Sequence, residues 1–264
     1  MALGLDLGIS FSRFCLFKDN RFELIPDEQG HLQTPSYVAF TDSHEILVGE
    51  DAKNQLSTNP RNTVFNFKRL LGRRFSDPAV QEEIRGLPYK VEKGPGDRPL
   101  IVVQYQKEIR KYYPEEIQAI MIRSMKKYAE TYLGIKNLTK VVVTIPVYFS
   151  KPQIAATISS CTMAGLEVIR TLKESQAIAL GLYHQNTDKQ DRNTLVINLG
   201  GGSLDVAMIL ISEQIFEVKS MHGDTTLGGI DFVRRLMDYC IFEHKAKNQE
   251  DILGNLKAIE KLRV

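Results

Sequence analysis

Two glycine-bearing turns with acids beside them are the parts of this chain best suited to chemistry. They are Asp6-Leu7-Gly8-Ile9-Ser10 near the start and Leu199-Gly200-Gly201-Gly202-Ser203-Leu204-Asp205 far downstream. Glycine has no Cβ and tolerates positive φ, so such a turn between strands lets backbone amides come close to a phosphate. Magnesium keeps several of its waters when it binds carboxylates, so Asp6 and Asp205 read as acids that would hold Mg²⁺ through water. Lys68, within Phe65-Asn66-Phe67-Lys68-Arg69, carries an ammonium that could meet a γ-phosphate or an attacking water. Each feature alone has a plainer alternative: a single glycine turn is more often an ordinary hairpin, and a lone aspartate or lysine more often solvated surface. Two related turns, each with an acid, are harder to dismiss.

The elements that must position these residues can be read from periodicity. Leu3 to Leu7, Phe14 to Phe17 and Phe22 to Ile25, with the polar turn Lys18-Asp19-Asn20, read as an antiparallel meander. Ile117, Ile120, Met121, Met125, Tyr128 and Tyr132 recur at helical spacing after Pro114-Glu115-Glu116 and before Gly134, which predicts an amphipathic helix. A β-branched strand at Val141 to Ile145, a helix from about Lys151, a strand at Glu167 to Thr171 and a helix from Glu174 to about Tyr183 follow, an α/β alternation. The polar segment Gln185 to Arg192 marks the expected domain boundary. Beyond it Thr194 to Leu199, Leu204 to Ile211 and Ile215 to Met221 form a second meander whose strand, polar residue, Leu, Gly and hydroxyl repeat the order of the first, which implies a duplicated fold. After Gly228-Gly229 the pattern turns helical, and Ile252, Leu256, Ile259 and Leu262 predict a last helix still running at Val264.

Bulk properties narrow the function classes. The 264 residues are 43% hydrophobic and 25% charged, with 34 basic and 32 acidic residues for a net charge of +2. That balance calls for neither nucleic acid nor an anionic membrane as partner. No apolar run reaches the length of a membrane helix, and Asp6 interrupts the only apolar opening, so no secretory leader is read there and a cytoplasmic protein is expected. Cys15, Cys161 and Cys240 are far apart, which reads as buried free thiols rather than a metal site.

Read together, several ordered blocks resemble the 70-kilodalton heat shock protein family. They are Gly4-Leu5-Asp6-Leu7-Gly8, Thr34-Pro35-Ser36-Tyr37-Val38-Ala39-Phe40, Asn62 to Phe65 with Lys68-Arg69-Leu70-Leu71-Gly72-Arg73-Arg74-Phe75, Tyr113-Pro114-Glu115-Glu116, Thr144 to Phe149, Leu199 to Val206, Ile215 to Ser220 and Gly223 to Gly229. The segments around Arg73 and Tyr113 resemble the nucleocytosolic branch, which implies cytoplasm with the nucleus as a further location. The resemblance implies an actin-like ATPase fold of two ribonuclease-H-like lobes, with ATP or ADP and Mg²⁺ between them. The expected layout is a complete first lobe at 1–184 and a partial second lobe at 193–264, without a peptide-binding domain of its own.

By position, the resemblance assigns Gly8, Ile9, Ser10 and Phe11 to the first phosphate loop, Gly200, Gly201, Gly202 and Ser203 to the second, and Gly228 and Gly229 to the same nucleotide site. Lys68 falls on the catalytic lysine, Glu174 on the cleft glutamate, Asp6 and Asp205 on the acids around magnesium, Pro146 on a switch proline and Arg170 on a position that docks J-domain partners. Asn198 stands where the family has an acid, and an amide cannot accept a proton from water, so hydrolysis is expected to fall by about 10²- to 10⁴-fold. Ile9 replaces a threonine hydroxyl and Ile154 an arginine of the switch relay, while Lys173, Ser175 and Gln176 depart from the pattern around Glu174. Two alternatives stand beside an ATP-binding chaperone domain with weakened turnover. One is a non-catalytic module that binds co-chaperones (J-domain proteins, nucleotide exchange factors) or a full-length relative, and the other is a decayed partial gene product.

Overall fold

A computed structural model describes residues 2–185, 190–212 and 215–263. The chain opens with β1 (Ala2–Leu7), β2 (Phe11–Lys18) and β3 (Arg21–Ile25), paired antiparallel as the alternation predicts. Period-2 burial is clear in β1, where Leu3, Leu5 and Leu7 turn inward. Short strands β4 (Thr34–Pro35), β5 (Val38–Phe40) and β6 (Ile46–Val48), the helix α1 (Glu50–Asn54) and β7 (Thr63–Val64) follow. Then come α2 (Pro78–Arg85), β8 (Lys90–Lys93), β9 (Pro99–Tyr105) and β10 (Glu108–Tyr112), the last three forming an antiparallel sheet of their own.

The helix α3 (Pro114–Leu133) has clear causes for both ends. Proline opens it, the Glu116 carboxylate accepts the Tyr113 amide at 2.6 Å, and Gly134 leaves it at φ 62° while Ile135 N donates back to the Glu130 carbonyl. Its buried stripe is Ile117, Met121, Ile122, Met125 and Ala129. Tyr132, expected on that stripe, is instead exposed, and its hydroxyl bonds Glu23 on β3. Next come β11 (Lys140–Ile145), α4 (Lys151–Met163) and β12 (Glu167–Lys173), a βαβ unit. It lays β11 parallel to β1 on the side opposite β2, giving the order β12-β11-β1-β2-β3 with β4 on β2. The periodicity predicted these strands but not that β11 would sit against β1.

Helix α5 (Glu174–Gln185) leads to the expected domain boundary, whose residues 186–189 lie outside those described. The second meander is β13 (Arg192–Leu199), β14 (Leu204–Ser212) and β15 (Ile215–Asp224), an antiparallel sheet with a small core of Ala179, Val196, Ala207, Ile209 and Ile211. The larger core lies around β1, β11 and α3. Helices α6 (Gly229–Asn248) and α7 (Leu256–Arg263) complete the described chain. Ile252, expected in the last helix, precedes it, because Asn255 caps α7 by accepting the Ala258 amide at 3.1 Å. Of the cysteines only Cys161 is fully buried; Cys15 and Cys240 are half-buried, a correction to the reading of all three as core thiols.

Gly72 ties the turn after Lys68 to α4. It has φ +64°, and a Cβ there would lie 2.5 Å from the Gln153 Cα. Gly134 has φ +62° with open space around it. Gly134→Ala should therefore cost only the left-handed conformation, about 1–2 kcal/mol. Gly72→Ala should cost clearly more, because backbone must also move; urea unfolding midpoints of the two variants check this ordering.

Candidate functional site

The glycine turns after β1 and β13 meet face to face. A Cβ on Gly201 would lie 2.2 Å from Ser10 Oγ, and one on Gly202 would lie 2.3 Å from Ile9 Cδ1. Gly228 is packed against the second turn from the other side, where a Cβ would stand 2.3 Å from the Gly202 amide nitrogen. Gly229 N and Ile230 N donate to the Gly200 and Gly201 carbonyls at 2.9 and 2.8 Å, so the start of α6 is strung to this turn. Within the first turn a Cβ on Gly8 would collide with the Phe11 carbonyl oxygen at 2.2 Å. None of these glycines has positive φ. Gly8, Gly201, Gly202 and Gly228 serve close approach, not the left-handed conformation that the sequence also allowed, while Gly200 and Gly229 would leave room for a Cβ.

Beside the turns lies a buried charged cluster. Lys68, 6% exposed, donates from Nζ to the Leu7 carbonyl and sits 3.5 Å from Glu174 Oε1. Lys68 Nζ also lies 5.4 Å from the centre of the Phe149 ring. The surface alternative weighed for this lysine is thereby excluded. Glu174, the first residue of α5, accepts the Asn198 side-chain amide at 2.8 Å. Asp205, 2% exposed, accepts the Val147 amide on both oxygens at 3.1 and 3.3 Å. Asp6 accepts Thr144 Oγ1 at 2.7 Å and Arg13 at 3.3 Å. Lys173 donates to the Pro146 and Val147 carbonyls at 3.2 and 2.7 Å.

The electrostatics follow from burial. Desolvation pushes the Glu174 carboxyl above its ordinary value, with Lys68 pulling it down and the charges of Asp6 and Asp205 pushing it further up. Desolvation likewise raises Asp205, against the Val147 amide, Lys68 and Lys173, and lowers the Lys173 ammonium. Asn198 and Asp205 are cross-strand partners, while the equivalent pair in the first meander is Asp6 and Arg13. An acid at position 198 would therefore face Asp205 across the ladder and Glu174 across the gap. The neutral amide avoids both repulsions and donates a hydrogen bond instead.

Among the described residues no group of three His, Cys, Asp or Glu side chains is arranged to hold a metal ion directly. Asp6 and Asp205 already carry protein donors, so the set suits Mg²⁺ held through its own waters and not a direct carboxylate cage. Of the other positions singled out, Pro146 is buried with its carbonyl engaged by Lys173, Ile154 packs on the main core, and Arg170 is exposed on β12. Ser175 is buried and its hydroxyl has no hydrogen-bond partner. Sequence reasoning did not single out Thr144, Arg13 or Val147 for the site. Their roles depend on which backbone groups the fold brings to the carboxylates, and no motif encodes that.

A family profile described as Hsp70 protein matches residues 2–264. The chain belongs to the Hsp70 family. It is 44% identical to heat shock 70 kDa protein 2 of Paracoccidioides lutzii, 45% to a heat shock 70 kDa protein of Neurospora crassa and 42% to one of Emericella nidulans. Each match covers 99% of this chain and 40% of the relative, so the chain spans about two-fifths of those proteins' length. The fold is accordingly the duplicated ribonuclease-H-like, actin-like ATPase architecture. Its first sheet has six strands, and its second has three among the described residues. No helix among the described residues is long and apolar enough to cross a membrane.

Asn198→Asp isolates the role of the neutral amide. A carboxylate there would face Glu174 and Asp205, whose carboxyls desolvation already raises above their ordinary values, and would push both further up. A raised folded-state value means that stability is present at low pH and lost as pH rises through it. The variant should lose about 1–3 kcal/mol relative to the parent at pH 7.5 and less as the pH falls toward 5. Urea unfolding at both pH values measures the difference.

Proposed function

We propose that the chain is a nucleotide-binding portion of a heat-shock-type chaperone ATPase, with residues 1–184 and 193–264 as its two lobes. In this reading it holds ATP or ADP with Mg²⁺ and turns ATP over slowly. The observation that carries the proposal is the meeting of the two glycine turns beside the buried Lys68–Glu174 pair, in a chain of this family. Gly8, Ile9, Ser10 and Phe11 would bound the phosphates from one side. Gly200, Gly201, Gly202 and Ser203 would bound them from the other, with Gly228 and Gly229 behind. Because the turns touch, phosphate entry requires them to part.

Asp6 and Asp205 are the residues that would hold the hydrated metal, which when bound neutralises phosphate charge. Lys68 supplies a positive charge fixed by the Leu7 carbonyl and Glu174. Asn198 cannot take a proton, so proton acceptance rests on Glu174, whose raised titration keeps it a usable base but whose carboxylate is engaged by Lys68 and Asn198. Slow turnover follows from that engagement. Cytoplasm, with the nucleus as a further location, suits the resemblance to the nucleocytosolic branch.

A second reading, an interaction module for J-domain proteins, nucleotide exchange factors or a full-length relative, is favoured by one observation. Leu195, Ile197 and Leu199 on β13 and Phe232, Leu236 and Phe242 on α6 are all more than half exposed, an unusual share of apolar surface.

Calorimetric titration of ATP and ADP with Mg²⁺ into the parent, Lys68→Ala and Asn198→Asp chains tests the primary reading. Saturable binding by the parent is expected, with Lys68→Ala weaker by about tenfold to a hundredfold. ATP turnover should rise by about 10²- to 10⁴-fold in Asn198→Asp. A folded parent that binds neither nucleotide would overturn the proposal in favour of the interaction module.

A further inference from the structure

Arg69, the neighbour of Lys68, has no role in the reading above, yet it donates four hydrogen bonds from the first part of the chain to the second. Its side chain is 8% exposed. Nη1 donates to Glu83 at 3.1 Å and to Asp231 at 2.9 Å, while Nη2 donates to Asp231 at 2.5 Å, the Gly202 carbonyl at 3.2 Å and the Thr226 carbonyl at 3.4 Å. Glu83, on α2, is buried too and also accepts Asn66 at 3.0 Å and Arg234 of α6 at 3.1 Å. The four charges alternate, Asp231–Arg69–Glu83–Arg234, and sum to zero across a junction whose sides are about 150 residues apart in sequence.

The network leads directly to the second glycine turn. Asp231 also accepts the Gly228 amide at 2.8 Å, and Gly228-Gly229 is packed and hydrogen-bonded onto Gly200 to Gly202. Arg69 Nε is buried without a hydrogen-bond partner and would lie 2.9 Å from a Cβ on Gly202. Farther from the turns the packing is uneven: Ala179 of α5 shares a small apolar core with Val196, Ala207, Ile209 and Ile211, whereas the α2 and α6 side is open. Between Leu87-Pro88 and Met237, Ile241, Leu256 and Ile259 lies a cavity of about 340 Å³. On this side of the junction the closed position of the turn rests on the polar contacts of Arg69, Asp231, Glu83 and Arg234. Burial opposes ionisation of Asp231, but the hydrogen bonds and charge of Arg69 outweigh it and hold the carboxyl below its usual range.

We propose that Arg69 is a clasp: through Asp231 and the Gly202 carbonyl it holds the second glycine turn against the first, and this turn moves away only when the Arg69–Asp231 pair breaks. Arg69 is a positioning residue that acts through the turn. Its consequence for nucleotide access rests on the function proposed above, whereas the clasp is a property of the chain alone.

Hydrogen exchange of the nucleotide-free protein tests it, with Asp231→Asn as the principal variant because asparagine keeps an acceptor for Gly228 N while it removes the charge and replaces one of the two oxygens that accept from Arg69. Amides of 199–203 and 228–231 should exchange about tenfold faster or more, while those of α3 stay unchanged. Arg69→Gln should act at least as strongly, and Arg69→Lys should be intermediate because it keeps the charge without the fork. If Arg69→Gln does not fold, Asp231→Asn decides alone. Unchanged exchange at the turn, or an equal rise in α3, overturns the clasp. Where nucleotide binds, its association and dissociation should both quicken in the clasp variants. Faster exchange in a protein that binds no nucleotide would uphold the clasp and sink the functional reading.

Discussion

The absence of side chains at Gly201, Gly202 and Gly228 is the constraint on which the arrangement depends. Three segments far apart in sequence cross within van der Waals distance there, and a Cβ at any of the three positions would strike another segment at 2.2–2.3 Å. An alanine at Gly228 would meet backbone and shift α6, and with it Asp231 and Arg234, whereas at Gly201 and Gly202 it would displace the side chains of Ser10, Ile9 and Arg69. Close backbone approach thus fixes where the ion pairs can form, and they in turn tie Glu83 of α2 to Arg234 of α6 and Arg69 to Asp231. The charged cluster depends on the same junction. Lys68 and Glu174 belong to the first part of the chain, and Asn198 and Asp205 to the second, and they meet only because the turns do.

Within that junction the composition of charge is balanced closely. Lys68, Lys173 and Arg13 face Glu174, Asp205 and the half-exposed Asp6, with the neutral Asn198 bridging to Glu174. Burying a carboxylate is costly unless donors surround it, and here each one has them: Asn198 and Lys68 for Glu174, the Val147 amide for Asp205, Thr144 and Arg13 for Asp6. A fourth acid at position 198 would leave the cluster with one more negative charge than its donors can compensate. The amide is therefore a stable choice for the chain without ligand, and the same substitution removes a proton acceptor. Under the proposed function, stability and turnover would pull in opposite directions at this one position.

Much of this was legible in the sequence, and particular residues show where legibility ends. The strands of both meanders, the helix from Pro114 with its Gly134 stop, and the α/β alternation from Lys140 to Gln185 follow from period, caps and turn chemistry, all of which are local. The two turns and their acids were visible as a repeat. The burial of Lys68 was not, because its environment is made by Leu7 and Glu174, distant in sequence. Arg69 was hidden for the same reason, since one arginine of the Lys68-Arg69 pair looks like any other until Glu83 and Asp231 are brought to it. Tyr132 and Ile252 fit the apolar pattern but lie off the buried face and outside the helix, because a hydroxyl partner on Glu23 and a cap at Asn255 outweighed periodicity.

The duplication itself shows how little a strand's own sequence decides its burial. Leu3, Leu5 and Leu7 of β1 correspond to Leu195, Ile197 and Leu199 of β13, with Asp6 matching Asn198 and each strand leading into its glycine turn. The first three are at most 1% exposed, because β11 lies parallel on the far side of β1 and α3 and α4 contribute to the same core. The second three are 52–65% exposed, since among the described residues β13 pairs with β14 alone and only its other face is covered, by α5. Identical patterning thus yields core in one half and bare surface in the other. At roughly 25 cal/mol for each Å² of apolar area removed from water, the three residues would contribute several kcal/mol once covered. The second half therefore draws less of its stability from its own core and more from the junction, which makes the glycine contacts and the ion pairs at Arg69 matter for folding as much as for any ligand.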